Sequence, residues 1–154
     1  PGAAFGSAKC WLPERFKEVA KALLENDYQC IIIIFGDRSQ KELCGKICKG
    51  LSDRVINLSG QTSLREFLAL IKCCSVLLTN DSGPMHIADS LEVPVVALFG
   101  STNDTTTGPY RQSQWVIKKK VECSPCYKRV CSTHFNCMKK ITAEEVTLKL
   151  LARL

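Results

Sequence analysis

Apolar positions follow two different periods along this chain, and the switches between them mark its elements. From Pro13, the residues Phe16, Val19, Ala20 and Leu23 recur at i, i+3, i+4 and i+7, one stripe of a helix that Pro13 opens and Asn26-Asp27 closes. The run "CIIIIFG" at 30–36 is continuous, short and β-branched, which predicts a strand covered on both faces of a parallel sheet. "SQKELCGKICKG" predicts a helix ending at Gly50, and "RVINLSG" a second strand. Ser63 and Glu66 form a capping-box pattern ahead of the stripe Leu64, Phe67, Leu68 and Ile71, hence a third helix. "SVLLTN" reads as the third strand, "PMHIADSLE" as a short helix and "PVVALFG" as the fourth strand. In the tail, Thr142 and Glu145 repeat the capping pattern before Val146, Leu150, Leu151 and Leu154, a last helix.

Strands alternating with helices at these spacings are βαβ units, whose crossovers require a parallel sheet with helices on both faces. The expected fold is a Rossmann-like α/β layer, followed by an irregular, loop-rich stretch from Ser101 to Lys140. With 154 residues, 45% of them hydrophobic, the chain supports one domain spanning 1–154. No apolar run reaches the ~18 residues of a membrane span, and "PGAAFGSAKCW" lacks the order of a signal peptide. A soluble chain is therefore expected. Because it opens at Pro1 without a Met, an upstream segment is expected too.

Charge and cysteine usage narrow the partners. The net charge of +6 favours anionic ligands, but the 21 Lys and Arg are scattered, with "KKK" at 118–120 the one run, so nucleic acid is not indicated. Six of the ten cysteines are dispersed through helix- and strand-like segments, as small hydrophobes of a reducing cytosol. The other four, Cys123, Cys126, Cys131 and Cys137, form C-x2-C-x4-C-x5-C with His134 between the last two. That pattern suits a tetrahedral Zn²⁺ site in a loop with little apolar content; iron–sulfur ligation, disulfides and four free thiols are the alternatives.

Ligands of open parallel sheets bind beyond the carboxyl ends of the strands, so the loops after Phe35, Leu58, Thr79 and Phe99 carry the chemistry. After the third strand stands "NDSGPMH". Pro84 fits a first helical turn, Ser82 or Gly83 a cap, and the free N–H groups with the positive end of the helix dipole make a phosphate-sized anion site. Gly83 permits close approach, and His86 lies one turn on. A plain helix cap made by Asp81 and Ser82 accounts for the same residues. "FGSTNDTTTGPY" adds five Ser and Thr hydroxyls at the next carboxyl end. "PGAAFGSAKCW" is Gly-rich with Lys9 as a candidate phosphate partner, yet it matches neither G-x-G-x-x-G nor a nucleotide-triphosphatase loop.

"PGAAFGSAKCW", "NLSGQTSLREFLALI", "LLTNDSGPMHIADSLEVPVVALFGSTND" and "CSPCYKRVC…CM" together resemble, in order and spacing, the C-terminal half of the bacterial ADP-heptose:lipopolysaccharide heptosyltransferases of glycosyltransferase family 9, in their heptosyltransferase II branch. The resemblance covers essentially the whole chain and is most specific from Asn80 to Asp104. It implies the donor-binding domain of a two-domain GT-B enzyme whose donor is ADP-heptose and whose acceptor is the lipopolysaccharide inner core. Gly2 and Lys9 would then meet the diphosphate, Asp81, Ser82 and Gly83 line the phosphate and sugar end with His86 one turn behind, and Thr62 lie near the adenine. A ribose-binding carboxylate is implied as well, and there the sequence departs from the family: "GDRSQKELC" offers Gln40 or Glu42 depending on a gap. The catalytic base and the acceptor site are implied for an N-terminal domain absent from this sequence, so this polypeptide is expected to bind donor and not to turn over. Catalysis is expected to need no metal, because no carboxylate cluster for Mg²⁺ is seen. The resemblance also implies a cytoplasmic enzyme, with the full protein peripherally associated with the inner membrane. A related transferase using another sugar nucleotide, a stand-alone nucleotide-phosphate binding module and a small metal-binding interaction protein are the rival readings.

Overall fold

The computed structural model describes residues 1–3 and 5–154. Strands β1 (Ile32–Ile34), β2 (Val55–Asn57), β3 (Leu77–Asn80), β4 (Val95–Phe99) and β5 (Val116–Lys118) alternate with helices α1 (Pro13–Asn26), α2 (Lys41–Cys48), α3 (Leu64–Lys72), α4 (Gly83–Ser90) and α5 (Asp104–Thr107), and α6 (Asn136–Lys139) and α7 (Ala143–Leu151) follow. Every strand pairing is parallel: β1 with β2, then β3 with β4 and β4 with β5. The hydrogen-bonded ladders are two, ordered β1-β2 and β3-β4-β5. They share one core, because Ile34 of β1 and Leu78 of β3 pack on the same apolar cluster as Val96 and Leu98.

β4 is the strand covered on both faces, buried at all five positions. Its alternating side chains divide between two clusters: Val96 and Leu98 meet Trp11, Phe16 and Val19 with Val146 and Leu150 of α7, whereas Val95, Ala97 and Phe99 meet Ile71, Met85 and Ala88. The isoleucine run, expected to have this role, is only half-buried over β1, and Ile31 is 64% exposed. It pairs on one side with β2 and has less above and below it, so β-branching predicts the strand but not its depth. Similarly, Leu64 at the start of α3 and Leu154 beyond α7 belong to the apolar stripes yet face solvent, at 68% and 64% exposure.

Local signals set the helix ends. In the α3 capping box the Ser63 N–H donates to Glu66 Oε2 at 2.7 Å, and the Glu66 N–H donates to Ser63 Oγ at 3.3 Å. The tail keeps half of its box: Thr142 Oγ1 accepts from the Glu145 N–H, while the Glu145 carboxylate turns to Lys119 at 2.6 Å. α2 starts later than the pattern predicts, because Asp37 takes the Ser39 N–H and holds Arg38–Gln40 in a single 3₁₀ turn. Both β5 and α5 lie in the stretch read as irregular; β5 is only three residues long and is defined by its pairing with β4.

The N-terminal segment is laid across the carboxyl end of β3 by buried polar bonds. Asn80, fully buried, accepts the Trp11 backbone N–H at 3.0 Å on its Oδ1 and donates from Nδ2 to the Pro1 carbonyl. The Trp11 indole, 2% exposed, donates to the Ile141 carbonyl at 3.2 Å, so the same segment is tied to the approach to α7. Among the described residues no helix is long and apolar enough to cross a membrane.

Candidate functional site

The site forms where β3 and β4 end. The Asp81 N–H extends the ladder by donating to the Leu98 carbonyl at 3.1 Å, which turns its carboxylate inward, where the residue is 4% exposed. There it accepts from Thr102 Oγ1 of the loop after β4 at 2.5 Å and pairs with Lys9 Nζ at 2.6 Å. Lys9 ends a 3₁₀ turn at Ser7–Lys9 in the segment pinned by Asn80, and its ammonium also lies 4.9 Å from the centre of the Phe5 ring. Its side chain is 13% exposed, so it is not a solvated surface lysine.

Neither Asp81 nor Ser82 caps α4, contrary to the cap reading. Ser82 holds the N-cap position in an extended conformation, but its hydroxyl contacts the Asn80 carbonyl and Thr79 Oγ1, both at 3.2 Å. Among the described residues no side chain caps this eight-residue helix, whose Met85 N–H donates to the Ser82 carbonyl at 3.0 Å. A Cβ placed on Gly83 would meet nothing within 4 Å. The fold itself thus has no need for a glycine there, and the space in front of the helix start is open. His86 is exposed one turn further on.

The remaining predicted residues lie around the first ladder. The Gly60 N–H donates to the Gly36 carbonyl at 2.7 Å, joining the loops that follow β1 and β2. Gly60 has φ of 65°, and a Cβ there would press on Lys41 and the Arg38 backbone. Thr62 stands half-buried in the second of these loops. The Gln40 carboxamide lies against Gly2, where a Cβ would come to 2.2 Å from its Nε2. Glu42 instead points outward from the first turn of α2 and pairs with Lys46 at 2.7 Å, whose hydrogen bond and charge hold its carboxyl below the usual range. The structure therefore brings Lys9, Asp81, Ser82 and Gly83 together and Gly2 with Gln40, and leaves Glu42 turned to its own helix. Thr102 and Asn80 were not singled out by the sequence; the nearest signal for Thr102 was the hydroxyl-rich loop after the fourth strand.

Cys123, Cys126, Cys131 and Cys137 converge on one cavity of about 30 Å³, which Ala8, Gly100, Ser101 and Lys128 also line. All four are free, and Cys137 is buried, which pushes its thiol up. Among the described residues no three His, Cys, Asp or Glu side chains stand in metal-ligating positions. His134 lies outside the cavity lining.

A sequence model of glycosyltransferase family 9 (heptosyltransferase) matches residues 1–136. The chain belongs to glycosyltransferase family 9. Lipooligosaccharide heptosyltransferase 2 of Campylobacter jejuni is 36% identical over 152 residues, covering 95% of this chain and 47% of that protein. Lipopolysaccharide heptosyltransferase 2 of Salmonella typhimurium is 37% identical over 77% of this chain and 34% of its own length. The solved structure of Escherichia coli ADP-heptose lipopolysaccharide heptosyltransferase II superimposes with a TM-score of 0.84 at 31% identity, over 99% of this chain and 44% of that one. The chain thus spans about half the length of the relatives it matches. The fold is the parallel α/β arrangement expected of a GT-B glycosyltransferase domain.

For a family 9 transferase the geometry has a direct chemical reading. An ammonium offers three donors, and Asp81 takes one of them, so Lys9 has capacity left toward an anion while the carboxylate fixes its position. The start of α4 adds the Gly83 N–H and the positive end of a helix dipole, since Pro84 has no N–H and the Met85 N–H donates to the Ser82 carbonyl at 3.0 Å. Together these are groups able to meet an anion.

Proposed function

We propose that this chain is the donor-binding half of a heptosyltransferase, which transfers heptose from ADP-heptose to the lipopolysaccharide inner core. The observation that carries the reading is the Lys9–Asp81–Thr102 group set beside the uncapped α4 and the open face of Gly83. As the anomeric bond breaks, charge grows on the departing ADP, and preorganised donors lower the barrier by holding that charge better than that of the intact donor. Gly2, Lys9, Ser82, Gly83 and His86 surround the phosphates and sugar in this reading, with Thr62 on the adenine side and Gln40 or Glu42 at the ribose. The acceptor sugar and the base that deprotonates it belong to the other half of the protein, which works at the cytoplasmic face of the inner membrane, where its lipid-linked acceptor is held. The four thiols of the 123–137 loop hold a structural zinc.

Calorimetric titration of the chain with ADP, ADP-heptose, UDP and GDP tests the donor assignment. The adenine nucleotides are expected to bind more tightly, and equal affinity for all four would remove it.

A further inference from the structure

The Lys9–Asp81 pair and the start of α4 hold too little positive charge for a diphosphate. Lys9 is neutralised by Asp81 at 2.6 Å, so the pair offers fixed N–H donors but no net charge. The helix start adds only about half an elementary charge. An ADP-sugar brings two ionised phosphates, and a further negative charge develops as the ADP leaves. A second cation within reach of Lys9 is needed to meet them.

Arg129, in the loop between β5 and α6, stands in that position. Its guanidinium carbon lies 5.4 Å from the centre of the Phe5 ring, and the Lys9 ammonium lies 4.9 Å from the same centre, so the two cations are no further apart than the sum of these distances. The backbone enforces the approach. The Arg129 carbonyl accepts from the Ala8 N–H at 3.0 Å, directly before Lys9, and Gly6 passes so close that a Cβ there would come to 2.3 Å from the same oxygen. Whereas Lys9 is engaged with Asp81, Arg129 takes part in none of the ion pairs among the described residues, and it is exposed. Its neighbour Lys128 instead turns to its own loop, donating to Ser132 Oγ at 2.7 Å.

We infer that Arg129 is a second phosphate-binding residue of the donor site, with its guanidinium held over Phe5 beside Lys9. The planar fork offers paired donors to phosphate oxygens and carries the net charge that the Lys9–Asp81 pair lacks. Its backbone anchors it to the Lys9 segment, which leaves the side chain for the ligand. The inference rests on the donor-site reading above and adds to it a residue from the loop after β5.

Calorimetric titration of the whole chain with ADP, at low and high salt, tests this on Arg129→Gln, Arg129→Lys and Lys128→Gln. All three variants keep the backbone carbonyl that Ala8 binds, and thermal melts verify that they are folded. ADP should bind Arg129→Gln at least about tenfold more weakly than the parent, with a smaller salt dependence. Arg129→Lys should fall between the two, because it keeps the charge but not the planar fork. Lys128→Gln should stay within about twofold of the parent, as a screened surface charge. A folded Arg129→Gln with the parent's ADP affinity overturns the inference. An equal loss in Lys128→Gln overturns it as well, since net charge alone would then account for the effect. If the parent chain itself binds no ADP, the donor reading fails, and the role of Arg129 with it.

Discussion

Lys9→Ala separates the two roles that its ammonium has in this arrangement. The substitution leaves the Asp81 carboxylate with the Thr102 hydroxyl but without its counter-charge, in a site where the two paired side chains are 13% and 5% exposed. Orphaning a fully buried charge costs about 3–5 kcal/mol; the residual exposure and the Thr102 bond put this case near the lower end, about 3 kcal/mol. ADP affinity should fall as well, because a charge-assisted bond to phosphate contributes about 1.5–3 kcal/mol, or roughly 10- to 150-fold. The double variant Lys9→Ala/Asp81→Asn removes the orphaned charge, so it should regain most of the stability while still binding ADP weakly. Urea denaturation measures the first effect and calorimetry on the folded variants the second. A single variant as stable as the parent would refute the buried-pair argument. A double variant with restored ADP affinity would show that Lys9 serves only to neutralise Asp81.

Three other outcomes follow from the same geometry. Gly83→Val places its side chain in open space, so urea stability should change by no more than about 0.5 kcal/mol while calorimetric ADP binding is lost; unchanged binding would put the phosphates elsewhere. Asn80→Ala leaves the Trp11 N–H without its acceptor in a buried position and should cost about 1–3 kcal/mol in urea denaturation, with weaker ADP binding as the Lys9 segment loosens. The Ser63 backbone and hydroxyl hold the Glu66 carboxyl below the usual range, so its contribution is present above the unfolded-state pKa and lost as pH falls through the folded one. Thermal melts should therefore show Glu66→Gln less stable than the parent at neutral pH and the difference closing in acid; a pH-independent difference would contradict it.

Relations between residues close in sequence are what this chain announces on its own. The Ser63–Glu66 box, the entry of α1 at Pro13 and the alternation of strand and helix depend on backbone bonds within a few residues, and the structure reproduces them. Parallel pairing follows too, since strands joined by helical crossovers have no short route to an antiparallel partner. Depth does not follow. Four isoleucines in a row promise the most buried strand, yet β4 takes that place because α-helical faces on both sides cover it, and only the packing of those helices decides this. The site divides along the same line. "NDSGPMH" marks a helix start at a strand's carboxyl end, but that Asp81 grips Lys9 and Thr102, and that Ser82 turns away from the helix, depends on three segments meeting in space. Those contacts are long-range, and the buried Asn80 and Trp11 bonds that enforce them have no counterpart in any local pattern.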